Sequence, residues 1–522
     1  MKHLLTASVL ALGTAFPLAA QAQDAPVSTI VNAVQIIGTI DPAKINDYTE
    51  YMAAVNLYDA LTTVDPDGSV VPQLAESWEV SDDNLTYTFT LKEGATFQDG
   101  SPVEASDFVY SIRRLLAINE GPAYLFSDLI GEDSVEAVDA RTLKITLNKV
   151  YAPFIAITPI LLAVNEEAVQ SSDADTWGEE FLANDAAGAG PYSLGNWDRG
   201  AQMTLDRFEG YHGGWDRGTP LDEVRIVITR DEATVRALAQ RGELGLSSQY
   251  QSTETYAGID ALDNYRVISV PTATGFYIKL NNQKAPTDDI HVRRAIAMAM
   301  DYATVREVIY PGAELTGPLA PVFPEAIPEG AEAPVFDLEA ARAELEQSKY
   351  FGDGPIPLEH VYVSGTAFEE EIALLLKSTL DSIGFDVSIA PEPWNRITDL
   401  ASSIETTPDS TQVFYGPTYP SPDSVYFVQY HSDATGTWSS MDWVMDEEID
   451  GMIEASRQET DAEARNGIYQ DIFSKLVEDQ RSVWLLTQEK RLAAHECLQG
   501  YQQIPMQSWD LDFSRLSWSC PE

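Results

Sequence analysis

The sequence predicts an α/β protein of more than one domain, and three observations carry that reading. The chain has 522 residues, which at roughly 100 to 200 residues per domain is enough for two or three globular units. Two stretches read strand, helix, strand in succession, the pattern of helices layered on a sheet. A hairpin in the N-terminal third adds antiparallel structure to that parallel theme.

Taken in order, the chain begins with MKHLLTASVLALGTAFPLAAQA, where Lys2 and His3 precede an apolar stretch from Leu4 to Ala20 and the small-x-small site Ala20-Gln21-Ala22. Residues 1–22 therefore read as a secretory signal peptide cleaved after Ala22. Thr6, Ser8, Gly13, Thr14 and Pro17 interrupt the apolar run, which falls short of the ~20 residues a bilayer needs. Position 23 is Gln and not Cys, so no lipid anchor is expected on the exported protein. Residues 78–93 (WEVSDDNLTYTFTLKE) give a strand, a turn over Ser81–Asn84, and a second strand with Tyr87, Phe89 and Leu91 on one face. A helix starts near Glu104 or Ala105, with Phe108, Ile112 and Leu115 on its inner side and Arg113 and Arg114 towards its end.

The first strand–helix–strand unit runs from Asp222–Thr229 through a helix over 231–241, with Gly242 as the stop before a further strand. Acidic, Pro-rich connectors follow at 317–335 and near 352–358, and no repeat of 20 to 50 residues is present. The second unit has a strand at 360–364, a capping box from Thr366 to Glu369, and a helix presenting Phe368, Ile372, Leu375, Leu376 and Ile383, then Gly384 and the strand FDVSIA. Between 414 and 443 lie Phe414, Tyr415, Tyr419, Tyr426, Phe427, Tyr430, Trp438 and Trp443, broken by Pro417, Pro420 and Pro422. Proline among aromatics describes a rigid loop, and at least two of these rings are expected to line a ligand pocket while most serve the core.

Composition excludes several classes of function. Hydrophobic residues make up 44% and charged residues 22%, as in soluble proteins. Lys plus Arg number 32 against 82 Asp plus Glu, a formal charge of −50, so nucleic-acid binding is excluded and adsorption to anionic lipid disfavoured. The six His, at 3, 212, 291, 360, 431 and 495, form no HExxH and no zinc spacing with the two Cys. There is no G-x-S-x-G elbow and no GxxxxGK[ST] loop, and Pro191 interrupts the pattern begun by Gly188-Ala189-Gly190. No catalytic residue, metal or cofactor is expected. Cys497 and Cys520 are expected to form a disulfide in an oxidising compartment, stabilising by roughly 3 kcal/mol.

Four segments together resemble a known family. They are NLYDALTTVDPDGSVVPQLAESWEVSDDNLTYTFTLKEGATFQDGSPVEASDFVYSIRRL at 56–115, GAGPYSLGNWDRG at 188–200, HVRRAIAMAMD at 291–301, and the helical run at 447–480. In order and spacing they are similar to the extracellular solute-binding proteins typified by the oligopeptide- and dipeptide-binding components of ABC importers, the family 5 solute-binding proteins.

The resemblance implies an α/β, two-lobed, periplasmic-binding-protein-like (type II) fold with three discontinuous domains and a hinged ligand cleft. Transposed here, domain I comprises 27–58, 190–275 and 489–522, domain II 59–189 and domain III 276–488, with hinge crossings near Phe276 and Glu489. The implied protein is periplasmic and monomeric, captures a small solute by lobe closure, and hands it to membrane permease subunits of an ABC transporter without chemistry. Implied pocket residues are Trp394, Tyr415, Gly416, Thr418, Tyr419, Trp438 and Tyr277. Thr418 stands where peptide-binding members carry an Asp that holds the free amine, and Pro417 has no N–H for strand addition. Asp423 is the acid nearest to hand. Two ligand classes follow: a peptide in altered register, or an uncharged solute such as an oligosaccharide stacked on Trp394, Trp438 and Tyr415.

Overall fold

The computed structural model describes residues 27–173, 177–352, 354–506 and 509–521. The signal-peptide reading of 1–22 lies outside the described residues. Two strands organise the molecule: Tyr265–Leu280 and Ser482–His495, 16 and 14 residues long, paired antiparallel from Tyr265 opposite His495 to Lys279 opposite Ser482. At ~3.3 Å per residue such strands reach about 50 Å, far beyond the five or six residues of an ordinary strand. Their ladder slips between Pro271 and Gly275 and again between Phe276 and Tyr277, consistent with a proline that cannot donate to it.

One eleven-stranded sheet is built on this pair. On one side lie Ser410–Tyr415, Ile356–Val363 and Phe385–Glu392, attached along Gly275–Leu280. On the other lie Leu244–Leu246, Ser28–Ala33, Glu223–Ile228, Gln202–Arg207 and Tyr192–Asp198, attached where Leu246 meets Ala494. The two groups hang from different parts of the long strands, and their cores are separate apart from Tyr419, which joins the first-lobe cluster. One cluster gathers Val31, Leu57, Phe89, Phe108, Leu205 and Phe513, while two others draw only on residues 276–486. The protein is thus an α/β molecule of two lobes.

Both strand–helix–strand units form. Glu223–Ile228 and Leu244–Leu246 each run parallel to Ser28–Ala33, which lies between them, with helix Glu232–Gln240 in the connection. Ile356–Val363 pairs in parallel with Phe385–Glu392 across helix Ala367–Ile383, whose Ile372, Leu376 and Ile383 are buried. The hairpin is present as Ala75–Val80 and Thr86–Leu91, within a four-stranded antiparallel sheet completed by Val135–Asp139 and Thr142–Thr146.

Helix Ala105–Ile118 packs on that sheet, and its Arg114 turns inward instead of decorating the helix end. Its guanidinium donates to both carboxylate oxygens of Asp41 at 2.6 and 2.7 Å with both side chains almost fully buried, tying the four-stranded layer to the N-terminal segment. The Gly188-Ala189-Gly190 stretch presses against the Leu57–Tyr58 backbone. A Cβ at Gly188 would lie 2.0 Å from the Leu57 carbonyl oxygen, so close packing accounts for these glycines.

Three expectations change. The Thr366–Glu369 capping box does not form, because the Glu369 carboxylate accepts from the Val363 N–H at 2.7 Å instead of turning back to Thr366. The helical run at 447–480 is two helices, Glu447–Gln458 and Ala462–Glu478, the second capped by Asp461. The Pro-rich stretch 317–335 lies within the second lobe as expected, with Leu319 and Ala326 buried and Glu325 accepting hydrogen bonds from Asn466 and Gln470 of helix Ala462–Glu478. The aromatic segment is only partly a loop, since helix Pro422–Tyr430 carries Tyr426 and Tyr430 into the core.

Candidate functional site

Between the lobes lies a cavity of about 660 Å³, within the usual size range of small-ligand sites. Its second-lobe wall grows from the end of strand Ser410–Tyr415. Phe414 and Tyr415 lead into Gly416-Pro417-Thr418, after which Pro422 at the first helical position and Ser421 as N-cap start the next helix. The loop is fastened on itself: the Thr418 N–H donates to the Ser424 hydroxyl at 2.8 Å, and the Tyr415 hydroxyl donates to the Ser424 carbonyl at 2.6 Å. Phe414 is stacked on Phe276 at 4.0 Å between ring centres. Gly416 allows the loop to pass Thr274 on the crossing strand; a Cβ there would lie 2.8 Å from the Thr274 hydroxyl oxygen.

The first-lobe wall comes from separate turns. Helix Tyr48–Leu57, capped by Asp47, contributes Tyr48 and Tyr51. The 3-10 turn Gly121–Leu125 contributes Tyr124, and Tyr250 follows strand Leu244–Leu246. Lys490 on the crossing strand pairs with Asp510 at 2.5 Å, both buried, and Asp510 also accepts from the Tyr501 hydroxyl. Burial holds the phenols of Tyr51 and Tyr415 well above their ordinary range, so both are neutral donors at physiological pH. Asp128 and Asp433 add carboxylates, the latter 84% exposed.

Of the sequence-predicted site residues, Tyr415, Gly416, Thr418 and Trp438 line this cavity. Tyr277, Tyr419 and Trp394 do not. Tyr277 is buried with its hydroxyl donating to the Pro318 carbonyl, and Tyr419 is buried with its hydroxyl donating to Asp423 at 2.6 Å. Trp394 opens helix Trp394–Leu400 and meets Trp438 edge to face at 5.3 Å. Tyr415 is tilted 44° from Trp438, so the three rings offer no flat platform for a sugar.

Asp423 is no free substitute for an acid at Thr418. It is fully buried, accepts from the hydroxyls of Tyr151 and Tyr419, and has Arg457 at 3.4 Å. Sequence reasoning missed the first-lobe wall, which no local pattern marks. Cys497 and Cys520 form a disulfide. Among the described residues no cluster of His, Cys, Asp and Glu could hold a metal, and no helix is long and apolar enough to cross a membrane.

Residues 69–437 match the family described as bacterial extracellular solute-binding proteins, family 5 Middle. The chain is 28% identical over 515 residues to the "Probable D,D-dipeptide-binding periplasmic protein DdpA" of Escherichia coli, covering 96% of each. It is 25% identical over 492 residues to the dipeptide-binding protein DppE of Bacillus subtilis, covering 88% of this chain and 86% of that one. The periplasmic binding protein DppA of Helicobacter pylori, solved with the peptide STSA, superimposes with a TM-score of 0.80 at 21% identity, covering 94% of this chain and 98% of that one.

Proposed function

Because the chain belongs to the bacterial extracellular solute-binding proteins of family 5, we propose that it is the solute-capturing component of an ABC importer and that its solute is a short peptide. The observation that carries this reading is the cavity of about 660 Å³ enclosed between two lobes joined by two continuous strands. A site at such a junction forms its full set of contacts only when the lobes meet, so ligand binding favours the closed arrangement by its differential affinity for it. The work is capture and release, with no bond made or broken.

The peptide reading draws support from relatives along nearly the whole chain that are named for dipeptides. Fixed aromatic walls suit apolar side chains, while Gln488, Thr418 and the Tyr51 phenol offer hydrogen bonds to a peptide main chain. Tyr415, Gly416, Thr418 and Trp438 are the proposed contacts on the second lobe. The hinge is proposed at the ladder slips between Pro271 and Tyr277, opposite 484–489. Domain I is proposed as 27–58, 190–275 and 489–522, domain II as 59–189 and domain III as 276–488. The mature protein acts in the periplasm as a monomer, with the closed lobes forming the surface that permease subunits read.

Mass spectrometry of what native protein releases on denaturation tests this. Intact short peptides are the expected result, and a ligand of another class would overturn the peptide assignment. Turnover of peptides by the purified protein would overturn the non-catalytic role.

A further inference from the structure

A buried polar bridge links the lobes away from the cavity lining. Tyr151 belongs to the first-lobe core, packed among the residues that surround Phe154 and Ile157. Its hydroxyl donates to Asp423 of the second lobe at 2.7 Å. The same Asp423 oxygen accepts from the Tyr419 hydroxyl at 2.6 Å, and the Arg457 guanidinium stands 3.4 Å from the other oxygen. Arg457 also lies over two rings, Phe427 of its own lobe at 3.9 Å and Tyr151 of the other at 4.9 Å. Next to Tyr151, the Ala152 N–H donates to the Arg457 carbonyl at 2.7 Å.

The bridge and the cavity share their supports. Asp423 and Phe427 sit on helix Pro422–Tyr430, and Phe427 lines the cavity with one face while carrying Arg457. Tyr419 follows directly on the lining residues Gly416, Pro417 and Thr418. The Asp423 carboxylate takes its two hydrogen bonds on one oxygen and has only the Arg457 charge beside the other, so losing the Tyr151 donor leaves a buried charge further short of partners, which is costly. A rotation about the long strands that opens the cleft separates Tyr151 from Asp423, since hydrogen bonds weaken steeply once length and angle depart from their narrow range.

We propose that Tyr151, acting through Asp423 and Arg457, is a positioning residue that sets how firmly the lobes stay shut, and so governs how slowly solute leaves without touching it. The proposal rests on the capture-and-closure reading. A bond made only in the shut form slows dissociation and leaves encounter unchanged. A hydrogen bond to a charged group corresponds to a change of about tenfold or more in affinity.

The test compares the mature wild-type chain with Tyr151→Phe, which keeps the ring and removes the donor. With L-alanyl-L-alanine and D-alanyl-D-alanine as probes, the variant should dissociate about tenfold faster or more. Its association rate and ligand-free thermal midpoint should match wild type. Equal dissociation rates overturn the proposal, and so does an equal drop in the ligand-free and ligand-bound midpoints, which would make the bridge a permanent packing contact. If neither dipeptide binds wild type, the choice of peptide fails and the bridge is judged by hydrogen exchange on natively purified protein still holding its own solute. The Ala152 amide should exchange at least ~10-fold faster in Tyr151→Phe while that of Leu376 in the second-lobe core is unchanged; unaltered exchange at Ala152 overturns the proposal.

Discussion

Glu369 makes the stability of the second lobe fall as the pH rises, and replacing it with Gln should remove that fall. The residue is 5% exposed in the first turn of helix Ala367–Ile383, and burial pushes its carboxyl up to about 8 despite the Val363 N–H it accepts. Its ordinary value is 4.5, so between pH 4.5 and 8 the folded protein keeps a proton that the unfolded chain gives up. The stabilisation is fully present below 4.5 and lost as the pH climbs through 8. At 1.36 kcal/mol per pH unit the loss is about 3 kcal/mol by pH 7 and between roughly 4 and 5 kcal/mol by pH 9. Thermal and urea unfolding of wild type and Glu369→Gln, followed by tryptophan fluorescence from pH 4.5 to 9, measures it. Asp107, pushed by burial to about 6, adds a slope of the same sign to both proteins and cancels in their difference. The variant should gain on wild type steadily as pH rises. Parallel curves would refute a buried, protonated Glu369.

Removing one partner of the Arg114–Asp41 pair leaves a buried charge unmatched, so Arg114→Met should lower unfolding stability by about 3 to 5 kcal/mol in chemical denaturation; a loss under about 1 kcal/mol would contradict that burial. Cys520→Ser should cost roughly 3 kcal/mol for a link spanning 23 positions, and reductant should lower the wild type to the same midpoint. Gly416→Val forces a side chain against Thr274. Overpacking there should lower unfolding stability by about 1 to 3 kcal/mol in chemical denaturation, and unchanged stability would contradict the close approach.

The parts of the fold that read clearly in the sequence are those whose burial is one-sided. In Thr86–Leu91 buried Tyr87, Phe89 and Leu91 alternate with less buried Thr, and in Ala367–Ile383 the apolar stripe follows the helical period. The two organising strands lack that contrast. Ser482–His495 is buried at nearly every position, because one end lies in the first lobe's core and the other in the second's, so the period of two vanishes. The Thr366–Glu369 pattern misled for a related reason: burial and a free Val363 N–H next door outbid the local cap. On the cavity, Tyr415 to Thr418 and Trp438 stood within one aromatic segment, whereas the opposite wall joins Tyr48 to Asp510 across most of the chain. Only the tertiary fold brings those together.

The charge of −50 is no guide to the polarity of the cleft. Water and salt screen the acids on the outer surface, while the buried charges beside the cleft are answered locally. Lys490 would be an anchor for a ligand carboxylate, yet Asp510 sits 2.5 Å away and cancels it. Asp423 would be an anchor for an amine, yet it is fully buried, two phenols occupy one of its oxygens and Arg457 faces the other. What the wall around Thr418 offers is therefore neutral: a threonine hydroxyl and the aromatic faces of Phe414, Tyr415 and Trp438, the Tyr415 proton being held by the Ser424 carbonyl. Neutral donors in fixed positions select by shape and by hydrogen bonds to uncharged amide groups, which every peptide presents along its backbone whatever its termini carry. Asp128 and Asp433 remain exposed to solvent, where salt weakens any pull they exert on a cationic end. On the proposed peptide reading, recognition in this cleft depends on main-chain amides and apolar side chains first, and on terminal charge second.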